Sequence, residues 1–132
     1  MLFRSKFLVT TSLLVTSINV MAEWTAVAGN SHFTTYIDTD SRKIQGGRVT
    51  IWYMFDYSSI QKRDGTNQMF KSAVIQGDFN CYKQNKRQLD VILYSENLAE
   101  GSVVHAARNI NEKYISIIPG SIDAGLIKWA CY

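Results

Sequence analysis

Apolar and polar side chains alternate most clearly over residues 48–57. One face of an extended strand here carries Val49, Ile51, Tyr53, Phe55 and Tyr57. The opposite face carries Thr50, Trp52 and Met54, so both faces hold large apolar groups. Because a strand with one face in water would show a cleaner polar face, the pattern predicts a central strand with another element packed on its second face.

Weaker strand patterns lie on both sides of this segment. Turn residues separate them: Asp38-Thr39-Asp40-Ser41 predicts a turn or a single helical turn, Gly46-Gly47 a tight turn, and Asp64-Gly65 a hairpin. Successive antiparallel strands joined by such turns form a meander, so we predict a sheet of about five or six strands. Besides the central strand, the predicted strands cover 24–28, 33–37, 68–81, 87–95, 102–106 and 113–118.

The pattern becomes helical after Pro119-Gly120. Ser121 is a typical N-cap residue, and Asp123 and Lys128 lie near the two helix ends where their charges favour the helix dipole. A helix this short is marginal alone and needs to dock on the sheet. The predicted fold class is therefore α+β, an antiparallel meander with a C-terminal helix that covers the second face of the central strand. The apolar residues at helical spacing are Ile122, Leu126, Trp129 and Ala130.

The first 22 residues predict a secretory signal peptide. Arg4 and Lys6 precede an apolar stretch over 7–15, and Val20 and Ala22 stand at the −3 and −1 positions of a cleavage site. The alternative is a transmembrane anchor, but a span needs about 20 apolar residues, and threonines and serines interrupt this shorter stretch. We expect cleavage after Ala22, a mature domain over 23–132 without a transmembrane segment, and a location in the periplasm or at the cell surface. Glu23, not a cysteine, directly follows the cleavage site, so no lipid anchor is expected there.

Composition and charge narrow the class of protein. The chain has 132 residues, of which 46% are hydrophobic and 12% aromatic, which fits one folded domain and excludes a disordered chain. Its net charge of +3 falls to +1 without residues 1–22, because 12 basic residues then face 11 acidic ones. Nucleic-acid binding needs a concentrated positive excess, so no nucleic-acid partner is predicted.

Cys81 and Cys131 are the two cysteines of the chain. An even number of cysteines in an exported protein favours a disulfide, and two cysteines allow one intramolecular pairing. The alternatives are two buried thiols or a metal pair, although His32 and His105 show no metal-ligand spacing with either cysteine. We therefore expect a disulfide and no metal.

Candidate chemistry is sparse. His32 and His105 each lack a recognisable nucleophile and orienting partner, and the basic Arg42-Lys43 that follows Asp38-x-Asp40 opposes a calcium loop. There is no phosphate-binding glycine loop and no motif of a metalloprotease or serine hydrolase. The sequence therefore predicts no catalytic residue, no cofactor and a non-enzymatic protein.

Two groups of basic residues flank the predicted hairpin turns. Solvated surface charge is one interpretation, and a contact patch for an acidic surface, such as a sulfated glycan or a partner protein, is the other. Tyr53, Tyr57, Tyr82 and Tyr94 are either a binding face or core packing. The weak candidates for partner binding are Lys62, Arg63, Lys83, Lys86 and Arg87.

A series of short motifs runs through nearly the whole mature chain. It consists of Tyr36-Ile37-Asp38, Ser41-Arg42, Gly46-Gly47, Asp56-Tyr57, Phe70-Lys71-Ser72, Phe79-Asn80-Cys81, Tyr94-Ser95 and Pro119-Gly120-Ser121, ending in Cys131. This ordered set resembles the surface-adhesin protein E family of exported bacterial proteins. The resemblance implies a small antiparallel sheet packed with a helix, a Cys81–Cys131 bridge and a Gram-negative source. It also implies adhesion, because the namesake of the family is an outer-surface adhesin that binds host extracellular-matrix proteins.

The predicted function is therefore an exported binding module for a host or matrix protein or a glycan. The alternative is a periplasmic structural or accessory protein that forms a homodimer or binds an envelope partner, since exposed sheet edges permit strand addition.

Overall fold

The computed structural model describes residues 9–14 and 23–132 of the chain. The predicted signal peptide falls mostly outside these residues and stays a prediction. The described part contains seven strands, a short 3₁₀ turn (Asn97–Ala99) and one α-helix, α1 (Ile122–Cys131). The strands are β1 (Trp24–Gly29), β2 (Phe33–Gln45), β3 (Arg48–Lys62), β4 (Met69–Asn80), β5 (Asn85–Tyr94), β6 (Val103–Ala107) and β7 (Ile115–Ser116).

The first six strands form an antiparallel meander in chain order, β1-β2-β3-β4-β5-β6. β7 also pairs with β5, with Ser116 opposite Asn85, so β6 and β7 follow one another along the same edge of β5. The α+β class, the meander and the central position of β3 are confirmed. Gly65, at φ +71°, lies in the predicted hairpin turn between β3 and β4.

The predicted turn at Asp38–Ser41 is wrong, because β2 continues through it. The register between β2 and β3 shifts between Asp38 and Lys43, which marks a bulge. The Ser41 hydroxyl donates to the carbonyl of Asp38 (2.6 Å) and accepts from the backbone N–H of Trp52 (2.9 Å). The local side-chain bonds that suggested a turn therefore stabilise an irregularity within a long strand.

The core lies between α1 and one face of the sheet, where Tyr53 and Phe79 are completely buried. On the helix, Ile127 is 3% exposed, whereas Trp129 is 47% exposed. The prediction that Trp129 faces the core is therefore wrong. The remaining buried core residues are Ile37, Val49, Ile51, Ile75, Leu126 and Ala130.

Three contacts join this ten-residue helix to the rest of the fold, and a local cap stabilises its start. Ser121 caps its N-terminus, since the hydroxyl accepts from the N–H of Ala124 at 3.2 Å. Arg42 Nε donates to the carbonyl of Ala130 (2.7 Å) near the other end. The other two contacts are the ion pair Lys86–Asp123 at 2.7 Å and the Cys81–Cys131 disulfide, whose Cα atoms are 5.9 Å apart. The predicted disulfide is confirmed.

The helix covers the face of β3 that carries Val49, Ile51 and Tyr53, not the face of Trp52. We call the face opposite α1 the uncovered face. Its centre is a row of directly opposite residues on four strands, and two of them, Met54 and Val74, are buried. The expectation that the helix packs on the second face of the central strand is therefore wrong. This central row is Tyr36, Met54, Val74 and Ile92.

Candidate binding site on the uncovered sheet face

The predicted basic residues do not form one patch. Lys62 and Arg63 lie at the β3–β4 turn, and Lys83 lies at the β4–β5 turn, at opposite ends of β4. A twelve-residue strand such as β4 spans about 40 Å. The two groups are therefore separate surfaces.

Three of these five side chains already contact neighbours. Lys86 points to the helix side and pairs with Asp123, whereas Arg87 lies on the uncovered face and donates from Nε to Asp78 Oδ2 at 3.0 Å. Arg63 donates from Nη1 to Gln68 Oε1 at 3.0 Å. Within the described residues, Lys62 and Lys83 have no ion-pair partner.

A buried carboxylate organises the end of the uncovered face near the β4–β5 turn. The side chain of Asp78 on β4 is 1% exposed. Arg48 on β3 donates to it through Nη2, Arg87 on β5 through Nε, and Tyr114 through its hydroxyl at 2.6 Å. We call these four residues the Asp78 cluster.

The Tyr114 ring completes this cluster. The guanidinium carbon of Arg87 lies 4.8 Å from the ring centroid, and that of Arg48 lies 5.6 Å from it. Both distances fall within the range of cation–π attraction. Tyr114 therefore stabilises the carboxylate and both cations together.

The electrostatics of the cluster follow from its contacts. Burial by itself would raise the pKa of Asp78, but hydrogen bonds from Arg48, Tyr114 and Arg87 outweigh it and hold that pKa below its usual value. Burial and the bond to Asp78 raise the pKa of Tyr114. Asp78 is thus ionised and Tyr114 protonated at neutral pH.

The opposite end of the uncovered face meets the 3₁₀ turn. Asp56 Oδ1 accepts from the N–H of Leu98 (2.8 Å), and the buried Ser72 hydroxyl accepts from the N–H of Ala99 (3.0 Å). Leu98 and Ala99 have φ values of +57° and +58°, which side-chain-bearing residues rarely adopt. Asp56 and Ser72 therefore hold a strained turn in place.

The four candidate tyrosines have different roles. Tyr53 is completely buried in the core, which raises its pKa, and Tyr57 packs against Phe33 and Phe70 with ring centroids 5.8 Å apart in both pairs. Tyr94 is half-buried at the end of β5, and Tyr82 is 87% exposed in the β4–β5 turn. They do not share one binding face.

The histidines are separated in the fold. His32 lies in the exposed β1–β2 turn and His105 lies on β6 opposite Leu93. In the part of the chain that the structure describes, no three His, Cys, Asp or Glu side chains form a group able to hold a metal ion. No described helix is both long enough and apolar enough to cross a bilayer.

Sequence reasoning missed the Asp78 cluster. An aspartate inside a long apolar strand is an available signal, because Asp is depleted in strands and is rarely buried unless paired. Its partners come from three other segments of the chain, so the sequence pattern does not identify them.

Comparison with known proteins identifies the family. The family model for surface-adhesin protein E matches residues 24–132, which include every strand and the helix. The chain belongs to the surface-adhesin protein E family. Among curated protein sequences, none matches it significantly.

Solved structures of Haemophilus influenzae protein E share the fold of this adhesin E family member. Protein E from non-typeable H. influenzae is 15% identical with a TM-score of 0.60, and the match covers 85% of this chain and 77% of that chain. Crystal form II of H. influenzae protein E is 13% identical with a TM-score of 0.61, and the match covers 87% and 96% of the two chains. At these identities the likeness establishes the fold.

Proposed function

We propose that this protein is an exported, non-enzymatic binding module that uses its uncovered face to bind a protein or glycan partner in the periplasm or at the cell surface. The observation that carries the proposal is the match to the surface-adhesin family over residues 24–132. The shared fold with H. influenzae protein E supports it.

The uncovered face supports the proposal physically. Tyr36 and Trp52 on this face are half-buried, with part of each side chain open to solvent. Tyrosine and tryptophan are enriched at protein interfaces because they combine a large apolar area with a polar tip.

A binding screen tests the proposal. The full chain would be expressed, purified after export and screened against matrix proteins, glycans and envelope extracts. Trp52→Ala should weaken binding of any partner found by about tenfold or more, because interface tryptophans often dominate binding energy. Trp129→Ala, on the exposed side of α1, is the matched control and should bind as the native protein does. Absence of any partner, or equal losses in both variants, contradicts the proposal.

Location is tested separately. Native cells would be fractionated, and intact cells would be treated with a protease to detect surface-displayed protein. Digestion on intact cells supports adhesion, whereas a protected periplasmic protein supports a role within the envelope. Recovery from the cytoplasm contradicts export.

The free edge of β1 favours a second candidate function, a periplasmic accessory protein that forms a homodimer or binds an envelope partner. Within the described strands, β1 pairs on one side with β2 and has no strand on its other side. Such an edge offers backbone hydrogen-bonding groups to another strand. Light scattering after size-exclusion chromatography measures the mass in solution, and a monomer at all concentrations contradicts self-assembly.

A further inference from the structure

The Asp78 cluster has more positive than negative charge. Arg48 and Arg87 both donate to the same oxygen atom, Oδ2 of Asp78. Because neither hydrogen bond is longer than about 3 Å, the two donor nitrogens lie within about 6 Å of each other. One carboxylate faces two guanidinium groups, so the cluster has a net charge of +1.

The arginines also have hydrogen-bond donors to spare. A guanidinium has five N–H donors. Among the described residues, the bonds to Asp78 use Nε of Arg87 and Nε and Nη2 of Arg48, and the Tyr114 hydroxyl also interacts with Arg48. Most N–H donors of the two guanidinium groups therefore remain for a ligand. The side chains of Arg48 and Arg87 are 48% and 26% exposed, against 1% for Asp78, so both arginines reach solvent while the carboxylate beneath them does not.

These donors are held in place before any ligand arrives. Asp78 lies beneath the two guanidinium groups and the Tyr114 ring lies beside them, at 5.6 Å and 4.8 Å from their central carbons. Fixing flexible arginines in advance reduces the entropy that a ligand would otherwise have to overcome.

A third cation lies in the same row of the sheet. Lys43 is opposite Thr50, Thr50 is opposite Asp78, and Asp78 is opposite Arg87, so the four residues share the uncovered face. At a strand spacing of about 4.8 Å, the backbone of Lys43 lies about 10 Å from that of Asp78. Lys43 is exposed and adds positive charge beside the cluster.

We propose that the Asp78 cluster is an anion-binding site that takes a sulfate group of a sulfated glycan. A carboxylate has two coplanar oxygens that one guanidinium fork can satisfy, whereas a sulfate ester presents three terminal oxygens to donors from two guanidinium groups. Trp52 lies on the same face, two residues beyond Thr50, and offers a flat apolar surface to the adjoining sugar ring. This inference rests on the proposed binding function and names the ligand class for the uncovered face.

The first test uses the native protein. Calorimetry at low salt should show binding of a heparin-derived oligosaccharide that weakens as salt is added, because exposed charges are screened. A hyaluronan oligosaccharide, which has carboxylates but no sulfate, and a polyglutamate peptide should bind at least about tenfold more weakly. If the peptide binds as tightly as the heparin fragment, the ligand is not specifically a glycan. If the heparin fragment does not bind at all, the Asp78 cluster is not an anion-binding site.

Nuclear magnetic resonance locates the site in the same native protein. Because no substitution is made, misfolding of a variant cannot affect the result. The heparin fragment should shift the Nε–H signals of Arg48 and Arg87 and the indole N–H signal of Trp52. Shifts confined to Lys62 and Arg63, at the other end of β4, overturn the proposal.

Substitutions then measure the contribution of each guanidinium. Arg48→Gln and Arg87→Gln should each weaken heparin-fragment binding by about tenfold, and the corresponding lysine variants should recover part of it. Arg63→Gln removes the same charge at the far end of β4 and should bind within twofold of the native protein. An equal loss in Arg63→Gln shows attraction by overall charge and overturns the site.

The binding screen separates the two proposals. A protein partner that requires Trp52, together with no heparin binding, removes the sulfate site and leaves the binding function. Absence of any ligand in both experiments contradicts both proposals.

Discussion

The hydroxyl of Tyr114 donates a 2.6 Å hydrogen bond to Oδ2 of Asp78, 36 residues earlier in the chain. This bond ties the segment before β7 to the C-terminal end of β4. The same tyrosine ring contacts two arginines that are attached to that carboxylate. One side chain therefore organises charge contributed by β3, β4 and β5.

Removing this hydroxyl should destabilise the protein. Tyr114→Phe keeps the ring beside Arg48 and Arg87 but deletes one donor to a buried carboxylate. We expect the free energy of unfolding to fall by about 2 kcal/mol, the range for hydrogen bonds to charged groups. Urea unfolding measures it, and Tyr82→Phe, at an exposed turn, is the matched control that should change little. Equal stability of the native protein and Tyr114→Phe contradicts the assigned role.

Asp78 should make stability depend on acid pH. Its folded pKa is lowered, so its contribution to stability is present above the unfolded value of about 3.9 and is lost as pH falls through the folded pKa. Asp78→Asn should lose about 3 kcal/mol at neutral pH, because the neutral amide removes the negative charge between two arginines and replaces one acceptor oxygen with a donor. Its stability should also change less than that of the native protein between about pH 5 and pH 2. Parallel curves of unfolding free energy against pH for the two proteins would rule out this role.

The disulfide should contribute strongly to stability. It closes a separation of 50 residues, and the chain-entropy model gives about 4 kcal/mol for a loop of that length. Cys81→Ser combined with Cys131→Ser should therefore lower the melting temperature clearly under oxidising conditions. Native protein treated with a reductant should melt near the double variant. An unchanged melting curve shows that the bridge is not a stabiliser.

Replacing Gly125 with alanine should stabilise the protein. Gly125 lies inside α1, and a Cβ atom built there has no heavy atom within 4 Å. Alanine should therefore fit without strain and stabilise the helix by about 1 kcal/mol, the difference in helix propensity. Thermal unfolding checks this, and Gly77→Ala is the contrasting control. A Cβ at Gly77 would lie 2.8 Å from the Phe79 ring and 2.9 Å from the Tyr53 ring, so that variant should be less stable.

Much of the fold could be predicted from local pattern. Alternation over 48–57 indicated the central strand, Asp64-Gly65 the hairpin, and Ser121 with Asp123 the helix start. The helix face was predicted less well, because Ile127 and Trp129 are both compatible with helical spacing. Docking on the sheet decided between them and left Trp129 partly in water.

Of the residues in the Asp78 cluster, the sequence patterns indicated only Arg87, as one of the basic candidates. They did not indicate the residues that it contacts. The long-range contacts of Asp78 with Arg48 and Tyr114 depend on strand register, and register depends on all the turns and bulges between them. The register shifts at Asp38/Lys43 and Gln76/Gly77 add to this dependence.

The sequence by itself determined the fold class: an antiparallel sheet with short turns, a capped C-terminal helix and two cysteines able to pair. These features depend on residue spacing and local backbone preference, which sequence patterns can indicate. The tertiary structure decided which sheet face the helix covers and which charges meet around Asp78. Those outcomes depend on how segments distant in the chain pack together. Because burying an unpaired carboxylate is costly, Asp78 favours the packing that brings Arg48, Arg87 and Tyr114 to it.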